Sequence, residues 1–435
     1  MKLVSILALI FSFSSLHAQQ IWSLEDCIAH ALTNNISLKQ AELNIDIKES
    51  LHLQSKLQFL PSINASNSFN QNKGLVENPL TNIRSTTETS ILNLSYSTNF
   101  TLFSGFKNVN QLKKAATEVL RSTYDLETAK NDLISSIALS YLQILFNHEL
   151  YSTSEKQLLL TQTQETRINT LVDAGSLARG ELLNIQSQLA LEEQQLVQAE
   201  NQLTLSKLQL AQLLDLENYR NLNLLKLDLE VVDFEIQENI DLDFEKALST
   251  QSSIKSAELE IESAQYDLKI AQSSHMPTLS WATSINTFYV KEAEDMFKEQ
   301  LTNNQRSSQI ISLNIPIFNK WATRTSIKQS KIQIENSLLN TQQAKNKLRK
   351  NMEQGYTDQI AAYKKHNAAK KAILAYKESF TYINTRYTLG MVNSYEFNEA
   401  KNQLIKAESD ALQAKYDLIF KVKLYEFYTS LKFEL

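Results

Sequence analysis

Glycine and proline are scarce in this chain, with six Gly and four Pro in 435 residues. That is far below ordinary usage, so turns are few and regular elements are long. Cys27 is the only cysteine, which excludes an intrachain disulfide. It follows the first apolar run at a distance and lacks the Leu-x-Gly/Ala-Cys setting of a lipidated cysteine, so it reads as a buried thiol. His17, His30, His52, His148, His275 and His366 never fall at metal-ligand spacing, and five Met form no row. The chain has no His-Glu-x-x-His, no Gly-rich phosphate loop and no nucleophile elbow. These absences argue against an enzyme and give no cofactor or metal to expect. The formal net charge of −5 is mild for this length and argues against nucleic acid as a partner. After the N-terminus no apolar run reaches the length of a membrane helix. The nearest, 133–146, is interrupted by Ser135, Ser136, Ser140 and Gln143. If this chain enters a membrane, it does so as strands.

The N-terminus has a Lys2 start, an apolar run over 3–13 and a small-residue exit at Ala18. This reads as a secretory signal over 1–18, and places the rest outside the cytoplasm.

The stretch 91–106 is the most informative. Leu92, Leu94, Tyr96, Thr98, Phe100 and Leu102 alternate with Asn93, Ser95, Ser97, Asn99 and Thr101. Strict alternation puts each set on its own face of a strand. The polar face carries only small uncharged groups. Two readings fit: a sandwich strand with its apolar face in a core, or a barrel strand with that face in lipid and the other in a wet lumen.

The chain also repeats itself. Ala41-Glu42-Leu43 returns as Ala257-Glu258-Leu259, and Leu60-Pro61-Ser62-Ile63 as Met276-Pro277-Thr278-Leu279, both at an offset of 216. Leu102-Phe103-Ser104-Gly105-Phe106 returns as Ile317-Phe318-Asn319-Lys320-Trp321, at an offset of 215. That offset then holds for Tyr141 and Tyr356, Gly175 and Gly390, Glu181 and Glu396, and Gln188-Leu189 and Gln403-Leu404. Two copies of one unit are expected.

The first copy, 19–214, reads as a helix over 24–57 capped by Ser23, strands over 62–70 and 91–103, a long helix over 107–172 and a return helix over 176–214 capped by Ser176. A loop is expected over 71–90. Within the long helix Leu112, Ala116, Val119, Leu126, Leu133, Ile137 and Ile144 keep an imperfect heptad. A helix of about 65 residues is roughly 100 Å long, more than a compact domain holds. A linker over 215–239 alternates through Leu225, Leu227, Leu229 and Val231. The second copy, 240–435, reads as a helix over 242–273, strands over 278–289 and 309–318, a loop over 291–307, a long helix over 323–388 and a return over 394–431. Leu279, Trp281, Thr283 and Ile285 form the apolar side of its first strand, and Ile311, Leu313, Ile315 and Ile317 that of its second. Four strands cannot close a barrel, for which about eight is the practical minimum. If they span a membrane, several chains share one barrel.

This set, in this order and spacing, resembles the TolC-like outer-membrane efflux factor family. The resemblance rests on the signal, the duplication, the Leu-Pro-Ser and Met-Pro-Thr strand entries, the Leu-Phe-Ser-Gly-Phe exit, and the tips Ala174-Gly175-Ser176 and Tyr387-Thr388-Leu389-Gly390. It implies a mainly helical fold with β structure: a homotrimer forming a twelve-stranded transmembrane β-barrel on a twelve-helix α-barrel. It implies a passive outer-membrane duct with a periplasmic extension. Such a duct docks on a periplasmic adaptor and an inner-membrane pump of RND or ABC type, for efflux or type I secretion.

The resemblance also implies site residues. The aperture position three before the second tip glycine is Tyr387, and the acidic positions six and nine after it are Glu396 and Glu399. Glu181 holds the equivalent place after the first tip. The family's basic residue two after the second glycine is Val392 here, with Arg386 and Arg179 as substitutes to test. Adaptor docking is expected at Leu171, Asp173, Gly175 and Leu177, and at Leu389, Gly390 and Val392. Leu94, Tyr96, Phe100, Leu102, Trp281, Leu313 and Ile315 are the expected lipid-facing strand residues, with Trp281 and Phe100 in an interfacial girdle.

Each of these positions also has an ordinary use. A glycine after a helix is a C′ residue, acids on an exposed helix are solvated, and a tyrosine near a turn packs. A second functional class stays open as well: a soluble periplasmic coiled-coil adaptor or scaffold with its strands folded as a small sandwich.

Overall fold

The computed structural model describes residues 21–77, 81–225 and 239–431. The expected signal at 1–18 and the linker residues Leu227, Leu229 and Val231 lie outside them. The chain divides into two compact units. One holds the described residues up to Gln40, Glu127–Gln251, and the described residues from Asn346 onward; the other holds Ala41–Leu126 and Ser252–Lys345.

Elements follow in the order β1 (Ile21–Trp22), α1 (Leu24–Asn34), α2 (Ile36–Leu57), β2 (Ser62–Glu77), β3 (Arg84–Phe103), α3 (Lys107–Asp173) and α4 (Arg179–Leu213). A 3-10 turn over Tyr219–Asn221 leads to β4 (Asn223–Leu224), α5 (Ile240–Thr250), α6 (Ser252–Ser273), β5 (Thr278–Val290), α7 (Phe297–Asn303), β6 (Arg306–Asn314), α8 (Ala322–Thr388) and α9 (Ser394–Ser430). The offset of 216 carries α1 onto α5 and α2 onto α6, residue for residue, and 215 carries α3 onto α8. Backbone detail repeats too. Gly105 and Phe106 are both left-handed, at φ 62° and 66°, and so are Lys320 and Trp321, at 55° and 65°. Gly105 is required, because a Cβ there would lie 2.6 Å from Met276 Cβ and 2.7 Å from the Ser273 carbonyl.

Ser23 caps α1 as expected, within a reciprocal box: the Asp26 amide donates to Ser23 Oγ (3.0 Å), and the Ser23 amide to Asp26 (3.1 Å). The continuous helices expected over 24–57 and 242–273 are each broken once, at Asn35 and Gln251. Both breaks have a tertiary cause. Asn35 Nδ2 donates to the Leu213 carbonyl (3.1 Å), and Gln251 Nε2 to the Tyr428 carbonyl (3.1 Å). Leu213 and Tyr428 are again 215 apart. Asn35 Oδ1 then takes the Ser37 amide (2.9 Å) and starts α2.

Around these helices Trp22, Leu24, Cys27, Ala31, Ile137, Tyr141, Ile144, Leu210 and Leu222 form a buried core. Tyr141 donates its hydroxyl to the Leu225 carbonyl (2.9 Å). Just before the expected alternation from Leu225, β4 pairs in parallel with β1. Burial, with Asp26 and Glu25 nearby, pushes the Cys27 thiol up to about 12.

The four long strands form one antiparallel sheet in the order β2-β3-β5-β6. In register, Ile63, Thr98 and Thr283 share a level, as do Ala65, Tyr96 and Ile285, while Phe100 faces Trp281 and Trp281 faces Ile311. Leu94 and Leu313 are on this face as well. It is strongly exposed, 77% at Ile63 and 71% at Ile311. The opposite face is polar: Ser95 bonds Asn286 (2.6 Å) and Ser284 bonds Ser308 (2.9 Å). In a sandwich the apolar face would be covered by a second sheet, whereas here it is bare.

Strand bounds need correcting. The first two strands are longer than 62–70 and 91–103, and much of the expected loop 71–90 is a two-stranded ribbon, from Gln71↔Ser90 to Glu77↔Arg84. Backbone pairing holds it, with Arg84 on Glu77 (3.0 Å). β6 ends at Asn314, so Ile315 and Ile317 lie past it; Pro316 has no N–H for a ladder. The expected loop 291–307 contains α7. Leu102 falls in the register irregularity between Thr101 and Phe103.

Candidate functional site

The two helical turns, α3 to α4 and α8 to α9, are built alike. The Ser176 amide donates to the Leu171 carbonyl (2.8 Å) and Gly175 to Val172 (2.9 Å); Met391 donates to Arg386 (2.9 Å) and Gly390 to Tyr387 (3.0 Å). Each is a six-to-one plus five-to-two pair closing a helix C-terminus. The glycines stand at φ 70° and 72°, where a side chain is strained. The exits differ. Ser176 does not cap α4, which starts at Arg179 after Ala178 with no side-chain cap. Asn393 caps α9 by accepting the Glu396 amide (2.9 Å).

A cleft of about 350 Å³ lies between these turns, lined among others by Leu171, Leu177, Glu181, Tyr387, Val392 and Phe397. Ser394 Oγ donates to the Glu181 carboxylate, joining the first return helix to the second. Tyr387 is half-buried and stacks on Phe397, ring centroids 4.4 Å apart and planes at 21°; Phe380 packs on the same ring at 5.6 Å. Burial first, then the Glu181 charge, raises the Tyr387 hydroxyl above its ordinary pKa, with Arg167 opposing. Tyr387 and Glu181 are therefore brought together. Glu396 and Glu399 are instead exposed on α9, where Glu399 takes a bond from Gln403 (2.8 Å). Asp173, Gly175, Leu389 and Gly390 are exposed at the turns. The two arginines considered in place of the missing basic residue differ: Arg386 sits over the Tyr382 ring at 5.7 Å, and Arg179 opens α4.

Two residues with no sequence signal complete this region. Phe397 supplies the surface on which Tyr387 stacks. Lys401 lies buried between α3, α4 and α9. Its repeat counterpart is Gln186, and that of its partner Glu192 is Ala407, so the duplication could not have marked either.

Among the described residues no group of three or more His, Cys, Asp or Glu could hold a metal ion, and no helix is long and apolar enough to cross a membrane.

Comparison with known proteins bears on both units. The family described as outer membrane efflux protein matches residues 27–215 and 244–421. Outer membrane efflux protein BepC of Brucella suis is 20% identical over 398 residues, spanning 91% of this chain and 83% of that one. Toxin and drug export protein A of Aggregatibacter actinomycetemcomitans is 22% identical over 406 residues, with the same coverage. The CmeC outer membrane channel of Campylobacter jejuni superposes with a TM-score of 0.83 at 16% identity, over 93% of this chain and 85% of that one. CusC superposes at 0.80 and 16%, over 93% and 91%. With both repeats matched, the chain belongs to the outer membrane efflux protein family, and its place is the outer membrane.

Proposed function

We propose that three copies of this chain form an outer-membrane duct that carries substrates outward after docking to a periplasmic adaptor and an inner-membrane pump. The observation that carries this reading is the open four-stranded sheet. Its apolar face is exposed, its other face is hydrogen-bonded and polar, and its edge strands β2 and β6 have no outer strand partner among the described residues. Four strands cannot close on themselves, whereas twelve form a barrel with lipid outside and water inside. BepC and the toxin and drug export protein are named for efflux and export, which supports outward passage here. The sequence has no phosphate-binding loop, so the driving force comes from the pump.

In this reading the tip turns are the adaptor-docking surface, at Leu171, Asp173, Gly175, Leu177, Leu389, Gly390 and Val392. Tyr387, Glu181, Glu396 and Glu399 line the aperture, where threefold rings of like charge favour cations. Opening requires the cleft between the two turns to separate, with Ser394 leaving Glu181.

The test is single-channel conductance of detergent-purified protein in a planar bilayer, wild type beside Tyr387→Ala. A small cation-preferring conductance that rises in the variant is expected, from trimers that resist SDS and shift on heating. A monomer soluble without detergent and forming no pore would overturn the duct in favour of the scaffold class.

A further inference from the structure

β5 outruns its neighbour. The last rung with β6 is Asn286↔Arg306, but β5 continues beside β3 as far as Val290↔Ile91. α7 takes up the edge that β6 leaves. Gln300 is fully buried; its Oε1 accepts the Val290 amide (2.9 Å) and its Nε2 donates to the Val290 carbonyl (3.1 Å). That exchange of two bonds with one residue is what a facing strand residue supplies in an antiparallel ladder. Asn304 continues the imitation by donating to the Phe288 carbonyl (3.0 Å).

Anchored this way, α7 leans on a particular face. The Phe297 ring meets the Tyr289 ring edge-on at 4.9 Å, and Thr287 Oγ1 donates to the Leu301 carbonyl (2.7 Å). Thr287 and Tyr289 stand opposite Leu94 and Leu92, so α7 sits on the apolar side of the sheet. Met296, which leads into α7, is nevertheless 75% exposed, and Phe297 49%. These two residues continue the sheet's apolar face outward without a cover among the described residues.

The aromatic levels locate this patch. Phe100 and Trp281 form one level; Phe69 and Tyr289, both opposite Leu92, form another, with Phe297 on top. Trp281 and Tyr289 are eight residues apart, which is roughly 27 Å along a strand. At a strand tilt near 40° that is about 20 Å of depth, close to the apolar band of roughly 25 Å between aromatic girdles.

We propose that α7 is a membrane-surface anchor, with Met296 and Phe297 set in the lipid boundary at the outer girdle while Gln300 seals the strand edge beneath. The proposal rests on the barrel reading, since it needs the apolar face to meet lipid. The occupant is lipid because the exposed pair is continuous with that face and beside an aromatic level, the pattern of interfacial anchoring.

The test places a nitroxide at Met296→Cys, and separately at Phe297→Cys, in the full chain reconstituted in phosphatidylcholine vesicles. Cys27, buried with its thiol pKa pushed up to about 12, stays unlabelled. Accessibility to oxygen relative to a water-soluble nickel chelate reports depth. Ile63→Cys, on the apolar face two residues inside the Phe100–Trp281 level, is the lipid control, and Tyr395→Cys the water control. The ratio at 296 is expected to be several-fold above that at 395 and below that at 63. A high ratio at 63 with a water-like ratio at 296 and 297 would overturn the anchor and leave the barrel. Shielding from both probes at 296, with dipolar broadening from a second label, would show a second copy as the cover and overturn the lipid assignment. A water-like ratio at 63 would remove the barrel reading, and the anchor with it.

Discussion

Lys401 Nζ lies 3.2 Å from Glu192 Oε1, with the two side chains 5% and 2% exposed. The pair joins α9 to α4, and Thr161 of α3 lies between them, bonded to both. Gln188 adds a donor to the carboxylate at 2.9 Å and Gln157 another at 3.5 Å. Burial draws the Lys401 pKa below its ordinary value, and Glu192 opposes that. Three helices of one unit thus meet on a charge pair where an apolar residue would cost less to bury. Such a pair adds little net stability but penalises arrangements that separate its members.

That asymmetry is measurable. Lys401→Met leaves Glu192 buried and uncompensated, and should destabilise the fold by about 3–5 kcal/mol. The Lys401→Met, Glu192→Met double variant should lose clearly less than the single one, since no stranded charge remains. Additive losses in denaturant unfolding would show that the two side chains are not energetically coupled.

His366 gives a pH dependence. Its Nδ1 is buried without a hydrogen-bond partner, and burial first, then Lys370 and Lys415, holds the imidazole below its ordinary pKa of 6.5. The unfolded chain therefore takes up a proton before the folded one does. The contribution to stability is complete above 6.5 and is lost as pH falls through and below that value. His366→Gln should flatten the unfolding midpoint between neutral pH and about pH 5, the range where an unperturbed histidine charges. Identical slopes for both proteins would remove His366 as the source.

Gly105→Ala tests the strand exit. The substitution puts a side chain at φ 62° and a Cβ 2.6 Å from that of Met276. Left-handed strain alone is about 1–2 kcal/mol, and the close approach adds to it. A lowered thermal midpoint is expected. An unchanged one would mean that Met276 moves aside freely and that this close approach imposes no constraint.

For the proposed aperture, Glu396→Ala with Glu399→Ala should reduce cation selectivity and weaken block by trivalent cations. Both acids are exposed on α9, one turn apart. Reversal potentials under a salt gradient give the answer, and unchanged selectivity would take them out of the pore lining.

The long helices were legible because their ends are marked by residues with local mechanisms. Pro61 has no N–H, Gly175 and Gly390 reach positive φ without strain, and Ser23 caps an open helix end. The breaks at Asn35 and Gln251 were not, since each is set by a carbonyl about 180 residues away, at Leu213 and at Tyr428. The ribbon over 71–90 was hidden for a related reason. Gln71, Asn72 and Lys73 carry no alternating pattern, and their strand is made by cross-strand pairing with Ser90, Thr89 and Glu88. At the tips, Tyr387 and Glu181 are singled out by the family resemblance, which places such residues relative to the tip glycines. Phe397 is not, because an aromatic on a helix says nothing of which ring it will meet.

The sequence by itself determined the duplication, the two long hairpins with their glycine turns, and a strand with one apolar face and one polar face. Those follow from local rules: side-chain period, breakers and caps. Only the tertiary structure decided that Lys401 is buried against Glu192, that Tyr387 rests on Phe397, and that Gln300 stands in for a strand. Each depends on a partner brought near by packing, and a side chain's neighbours across a bundle or sheet are fixed by register rather than by its own chemistry.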